Sequence, residues 1–574
     1  MISRLLAALS LALLSVLPGI SRQDGSKLVH GLDGTAYLEV NGSPFIILGG
    51  ELGNSSASSV ADIDSIFPRL KYAGLNTILV PAYWELIEPQ EGKFDFSLID
   101  HAIDRATDLD MHIVFLWFGA WKNSMSCYAP LWFKADSVRF PRARNAAGRP
   151  LEIASAFSPA VLEADSNAFT ALMRHIADYD SHGTVIMMQI ENEIGMLESA
   201  RDHSPAADAA FRSPVPHQLI DWMIANESSL HPSLLDRWEA NGSRRSGTWS
   251  EIFGNGIETD EIFMAWYYAT YVEQLARIAR EISPSLPLYV NAAMNSRGRR
   301  PGEYPSAGPL AHLKDVWHAG APSVDILAPD LYDKGFVDWT AQYALPDNPL
   351  FIPEIRLSPD NGAQALFAVG ERDAVGFSPF SIENISSPRL GMAYGLISQL
   401  TPLIVAARAN NPSDICGVWF DADSTERVIF PASEPDLRLT ARHFFTLPWD
   451  PRATDGSRWP EAGGILIRIA PDEFIVAGTG IVVSFDLDGD TSVTAPLGED
   501  GFLAAGSERS ELTPARWTGS GRVGIGHVAE VKVSPDGTLS PLRHFNGDET
   551  HQGRHVRIGV DDFKILHVKL YRYR

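Results

Sequence analysis

Eight short apolar runs, spread over residues 45–408 and separated by segments of helical periodicity, constrain this chain more than any other feature. Phe45–Leu48, Asn76–Val80, His112–Trp117, Val185–Ile190, Leu288–Val290, Ile326–Ala328, Leu350–Ile352 and Ala374–Phe377 read as strands. Near-continuous apolar runs are what a parallel sheet covered on both faces requires. Between them Ala61–Tyr72, with Ile63, Ile66, Phe67 and Leu70 on one face, reads as helix. So do Ser97–Leu109, Asn167–Tyr179, Glu261–Glu281 and a closing Leu390–Ala407. Eight strands alternating with helices predict a (β/α)8 TIM barrel. A doubly wound sheet would carry a glycine-rich turn after its first strand, and none is present.

Such a barrel carries its site at the C-terminal ends of its strands. Polar and aromatic residues follow nearly every run: Gly49-Gly50-Glu51, Pro81–Trp84, Phe118–Asn123, Glu191-Asn192-Glu193, Asn291, Asp330–Tyr332 and Glu354-Ile355-Arg356. Glu193 and Glu354 end different strands, and two carboxyl groups at one mouth are what glycosidic bond cleavage uses. Glu191 lies two residues before Glu193 and, on an extended strand, would share its face and could compete for the acid role, but it reads first as a group that orients its neighbours. Arg356 stands in the same relation to Glu354 and would favour its charge, or else form a structural ion pair. Tyr83, Trp121, Asn123 and Tyr332 are expected sugar contacts, with loop packing the alternative. Glu51, Glu85 and Glu88 are further strand-end carboxylates, Glu51 and Glu88 read as hydroxyl-binding or structural groups. No cofactor is expected, and no catalytic metal: the chain has neither His-Glu-x-x-His nor paired cysteine ligands.

Ala73–Pro89 with Glu91–Phe96, together with Gln189–Gly195, resembles glycoside hydrolase family 35, the β-galactosidases of a clan of retaining (β/α)8 enzymes. The resemblance implies Glu193 as acid/base, Asn192 as the contact to a sugar 2-hydroxyl, and Glu354 as the nucleophile ending strand seven. It departs at Leu116–Pro130, where the family has a Gly-Pro-Tyr segment and a glutamate, and around Glu354, where Arg356 and Pro359 stand. The chain thus looks like a bacterial branch with its own C-terminal β domain, in which sugar specificity follows less tightly than mechanism. The expected activity is exo-acting, retaining removal of terminal β-galactosyl residues from oligo- or polysaccharides such as plant cell-wall glycans. The alternatives are a β-glucosidase, β-mannosidase or arabinosidase of the same clan, or a non-catalytic carbohydrate-binding barrel.

The remaining organisation follows from composition. A net charge of −24 and a pI near 5.1 disfavour a nucleic-acid partner. Arg4 and the apolar Leu5–Leu17 read as a secretory signal over residues 1–22, with a periplasmic or extracellular product and no membrane anchor after cleavage. The barrel is expected over 23–437, with an insertion at 196–260 whose aromatics (Phe211, Trp222, Trp238, Trp249) could form a lid or aglycone subsites, or a plain helical insertion. Pro130–Arg149 reads as a solvated, arginine-bearing loop. Alternating strands over 438–574 predict an antiparallel β-sandwich that braces the barrel, binds glycan or mediates a homodimer. Asp486–Asp490 reads as a plain turn, only weakly like a calcium loop. Cys127 and Cys416 could form one disulfide or remain two thiols.

Overall fold

The computed structural model describes residues 25–31, 36–295, 297–447, 449–488, 521–545 and 547–573. The expected signal over 1–22 lies outside them, as does the end of the Asp486–Asp490 turn. Eight parallel strands form the barrel: β1 (Ile47–Leu48), β2 (Thr77–Tyr83), β3 (His112–Phe118), β4 (Val185–Gln189), β5 (Leu288–Ala293), β6 (Ile326–Leu331), β7 (Phe351–Ile355) and β8 (Gly376–Pro379). From β2 to β8 each pairs with its sequence neighbour, and β1 pairs with β8. Glu51 bridges to Leu79 on one side and Phe380 on the other, which closes the ring.

The helices form where expected. Val60–Tyr72 buries Ile63, Ile66, Phe67 and Leu70, starts at Ser59, whose hydroxyl accepts from the Asp62 amide, and ends with Arg69 and Lys71 in its last turn. Asn167–Tyr179 is the second half of a longer helix, Pro159–Tyr179, which begins at Ser158. An antiparallel ribbon, Ser26–His30, Ala36–Val40 and Ser43–Phe45, covers the N-terminal end of the barrel. Leu38 and Val40 join the core there, and the Ser26 hydroxyl donates to the Ile186 carbonyl at 2.7 Å.

The insertion after β4 is helical, with helices at Pro205–Phe211, His217–Ala225, Pro232–Ala240 and Trp249–Phe253. Its aromatics are packing groups. Trp238 and Trp249 are buried, Phe211 packs edge-on to Phe263, and Trp222 stacks on His318. Of the two expectations, the plain helical insertion fits.

The C-terminal strands begin before the expected boundary at 437. β9 (Ile415–Phe420) and β10 (Glu426–Ile429) pair with β12 (Ala462–Ala470) and β11 (Leu437–His443). The remaining strands are β13 (Glu473–Thr479), β14 (Ile481–Leu487), β15 (Arg522–Val533), β16 (Leu539–His544), β17 (Val556–Arg557) and β18 (Lys564–Tyr573). They form a six-stranded sheet, β9-β12-β13-β18-β15-β16, against a four-stranded one, β10-β11-β14-β17. Between the sheets lie Phe420, Leu439, Leu466, Phe474, Val483 and Val568. The outer face of the larger sheet, with Ile465, Ile467, Ile475 and Val531, is continuous with the barrel core. Gly417 and Gly463 permit that approach: a Cβ on Gly463 would sit 2.5 Å from the Ala363 carbonyl on a barrel helix. The domain braces the barrel. Cys127 and Cys416 are both free thiols, so the disulfide alternative is excluded.

Candidate active site

Strand register assembles the site. Asp330 is the β6 partner of Glu354 on β7, so their side chains leave the sheet side by side. Pro353 cannot donate to the ladder, and the register between β7 and β8 slips between Ile352 and Ile355 around it. Glu193, Asp330 and Glu354 each offer a carboxylate oxygen within 4.8 Å of the others, and all three are buried. The two glutamates singled out by their strand-end positions therefore meet, with a third carboxyl between neighbouring strands.

Glu354 is held by donors. The Tyr332 hydroxyl donates to Oε2 at 2.5 Å, and the amides of Asn192 and Asn291 reach Oε1 at 3.4 Å each. The same Asn291 amide donates to Asp330 at 2.8 Å, and its oxygen accepts the Glu193 backbone N–H at 2.9 Å. Burial, then the charges of Glu354 and Glu193, push the Asp330 carboxyl well above its usual range. Burial, then the negative charge of Glu354, pushes Glu193 up to about 7.

The β3 loop forms the opposite wall. Its backbone runs beside the end of β4: Asn192 N–H donates to the Trp121 carbonyl, and Asn123 and Ser124 N–H donate to the carbonyls of Asn192 and Glu193. The Asn123 side-chain amide donates to Glu193 Oε2. The Lys122 ammonium donates to Asn123 Oδ1 at 2.6 Å, which fixes the amide with its N–H₂ toward Glu193. Lys122 is only 3% exposed, and its charge lowers the carboxyls of both Glu193 and Glu51. A lysine buried this deeply beside carboxylates is not a solvated surface charge.

Glu191 does not share a face with Glu193. The strand stops at Gln189, and Glu191 (φ 57°) and Glu193 (φ 46°) both adopt left-handed backbone, as do Asn123 (49°) and Ser124 (68°). This conformation is uncommon for residues other than glycine, and here it gathers at one place. Glu191 turns away from the cluster and accepts the Trp121 N–H at 2.8 Å and the Ala120 N–H at 3.3 Å. Asp165 beside it accepts from the Trp117 indole at 2.9 Å and the Tyr271 hydroxyl at 2.7 Å. Burial, then Asp165, keeps the Glu191 carboxyl well above its usual range. Glu191 positions the loop that carries Asn123.

The other expected contacts divide. Glu51 is fully buried, and burial followed by the charge of Glu354 holds its carboxyl well above the usual range; neither oxygen has a protein hydrogen-bond partner. Tyr332 bonds Glu354 directly. Tyr83 is buried, its hydroxyl accepting the Ala57 N–H and its ring against Phe118 and Tyr128. Trp121 is fully buried, edge-on to Tyr268 and Tyr271, and offers no open face to a sugar. Arg356 is exposed. Because β7 ends at Ile355, its guanidinium swings out to the Tyr332 carbonyl (2.8 Å) and over the Tyr332 ring rather than to Glu354. Glu88 is structural, accepting from the Trp84 indole at 2.8 Å and the Gly92 N–H at 2.7 Å. Glu85 lies 3.5 Å from Lys134 at the surface.

Residues 57–254 match the model of glycoside hydrolase family 42, described as beta-galactosidase, and residues 390–557 match a domain of unknown function, DUF5597. The family model that matches is thus that of family 42, of the same clan, in place of the expected family 35, and it spans residues 57–254 alone. A β-galactosidase of Xanthomonas manihotis is 28% identical over 216 residues, covering 36% of this chain and 33% of the relative. The chain thus matches about a third of that relative's length. Similar solved structures include a β-galactosidase from Rahnella sp. R3, at 16% identity and a TM-score of 0.43 over 62% of this chain and 57% of that one. Gan42B, a β-galactosidase from G. stearothermophilus solved as a catalytic mutant, stands at 15% and 0.43 over 64% and 58%.

Proposed function

We propose that this chain is an exo-acting retaining β-galactosidase, with Glu354 as nucleophile and Glu193 as acid/base. The observation that carries this reading is the pairing of the two glutamates. One carboxylate oxygen of each lies within 4.8 Å of the other, close enough to suit the carboxyl spacing of about 5–5.5 Å that double displacement uses. The two environments also differ as the two roles require. Glu354 accepts from a tyrosine and two amides, which fix its carboxylate for attack on C1. Glu193, raised to about 7, keeps a large protonated fraction at neutral pH and can donate to the leaving oxygen. Once the galactosyl ester forms on Glu354, Glu193 is the base that takes the proton of the incoming water. The Asn123 amide then stabilises its carboxylate.

Buried acceptors left without a protein partner, both Glu51 oxygens, Asn192 Oδ1 and Asp330 Oδ1, suit the donors of a polyhydroxylated ligand. Asn192 is proposed as a 2-hydroxyl contact and Glu51 as a further hydroxyl contact. The galactose specificity draws on the matched family and relative. The natural substrate class proposed is a galactosyl-terminated oligo- or polysaccharide outside the cytoplasm, plant cell-wall glycans first, in keeping with the Leu5–Leu17 leader. A panel of p-nitrophenyl glycosides tests it. The β-galactoside should be hydrolysed at least tenfold faster than the β-glucoside, β-mannoside and α-arabinoside; preference for another sugar would move the assignment within the clan.

Two further results are expected. The basic limb of kcat/KM for lactose, whose leaving group needs the proton, lies near pH 7, since that rate requires protonated Glu193 and falls tenfold per unit above that pKa. Lys122→Met moves this limb to higher pH, because removing the ammonium removes a charge that lowers the Glu193 pKa. An unmoved limb would separate Lys122 from the acid. Tyr332→Phe removes a hydrogen bond to the Glu354 carboxylate while Arg356 still covers the ring. At roughly 1.5–3 kcal/mol for a bond to a charged group, kcat/KM should fall about 10- to 150-fold, measured on the aryl galactoside.

A further inference from the structure

We infer that a cavity beside the catalytic mouth is a subsite for an anionic sugar unit, a uronate or a sulfated residue, of the glycan whose terminal unit is cleaved. The inference rests on the glycosidase reading above. The cavity, 680 Å³, opens between the β3 loop and the start of the insertion after β4, and Lys134, Arg142, Arg144, Phe157, Ser158 and Ser204 line it. It stands behind the wall that carries Asn123. The Ser126 N–H donates to the Glu152 carbonyl at 2.9 Å, the Ala154 N–H to the Ser126 hydroxyl at 2.9 Å, and the Lys134 ammonium to the Cys127 carbonyl at 2.8 Å.

The lining is basic in an acidic protein. Arg142 and Arg144 flank the buried Ala143 on one strand of the Arg142–Arg144/Pro150–Ala154 ribbon, across a shift in register, and both line the cavity. Arg142 donates to the Lys134 carbonyl at 3.1 Å and leaves Nη1 without a partner; Arg144 donates to the Gly148 carbonyl at 2.9 Å. Among the described residues neither guanidinium has a carboxylate within 4.0 Å, although the chain carries 71 acidic residues against 47 Lys and Arg. Glu152 is the carboxylate on the lining, and it is exposed and unpaired with either arginine. Ser158 caps the 21-residue helix Pro159–Tyr179, whose positive end adds to the field. Phe157 is half-buried and locked parallel to Phe263 (centroids 5.6 Å, 13°), a fixed ring face for sugar C–H groups. Guanidinium pairs match carboxylate and sulfate oxygens, and an aromatic wall beside them suits a sugar that bears one.

The test is calorimetric titration of the full chain at low ionic strength with trigalacturonate, a galactose-6-sulfate disaccharide and neutral galactotriose. At least one anionic probe should bind tenfold or more tightly than the neutral one, and which of the two does so separates carboxylate from sulfate. Arg142→Gln/Arg144→Gln should abolish that preference, and Arg144→Gln alone, at an exposed position, should weaken it. Equal binding of all three probes, or a preference that survives both variants, overturns the subsite. The readout needs no turnover. Charge-selective binding by a chain inactive on galactosides would therefore retire the galactosidase reading while keeping the cavity as an anionic-sugar site.

Discussion

Glu354→Ala lowers kcat/KM for p-nitrophenyl β-D-galactopyranoside by about 10⁴-fold, roughly 5.5 kcal/mol of barrier, with the fold intact. The loss is large because no neighbour can replace the carboxylate. Asp330 is adjacent in register, but it stands on the neighbouring strand, tied to the Asn291 amide, and burial, the largest cause of its raised pKa, persists in the variant and disfavours the anion that attack on C1 requires. Removing the side chain also clears the face from which Glu354 would attack. Azide should enter there, restore part of the rate and give α-galactosyl azide, of inverted configuration. If activity persists in the variant, or azide yields the β product, Glu354 is not the nucleophile.

Glu193→Ala separates the two steps instead. With a p-nitrophenyl leaving group, which departs without much protonation, formation of the glycosyl-enzyme is slowed little. Its hydrolysis loses the base, so kcat falls about 10²- to 10⁴-fold and KM falls with it. With lactose, whose leaving group needs the proton, kcat/KM itself should fall by that factor. Azide attacks the accumulated intermediate and gives the β-azide. The basic limb near pH 7 should also vanish, since the group that produces it is gone. Equal losses on both substrates, with the limb unmoved, would point away from Glu193.

The barrel was legible because parallel strands covered on both sides are near-continuous apolar runs, and the ends of such runs stand out where Glu51, Glu193 and Glu354 appear. The cluster's other members depend on register and backbone conformation, which residue type does not display. Asp330 belongs because β6 sets it opposite Glu354; Asn291 belongs because it bridges two carboxyls and the Glu193 amide. Lys122 carried a signal, a lone cation among small and aromatic residues, but its partners lie on β4 and β1. Glu191 and Arg356 were misplaced for one reason: the period-two rule holds only while the strand continues, and it ends at Gln189 and at Ile355. Trp121 and the aromatics of the insertion show the complementary difficulty, since a ring that packs and a ring that meets sugar have the same composition. The domain boundary came out late because β9, apolar and half-covered by a barrel helix, does not alternate cleanly.

The central claim is that Glu354 forms a galactosyl ester. Incubation with 2,4-dinitrophenyl 2-deoxy-2-fluoro-β-D-galactopyranoside, followed by intact-mass and peptide mass spectrometry, addresses it directly. The fluorine slows hydrolysis of the ester more than its formation, so the account predicts stoichiometric inactivation and one added fluorogalactosyl group on the peptide containing Glu354. A label on another carboxylate would displace the nucleophile. No label and no inactivation, in a preparation that hydrolyses β-galactosides, would contradict double displacement itself.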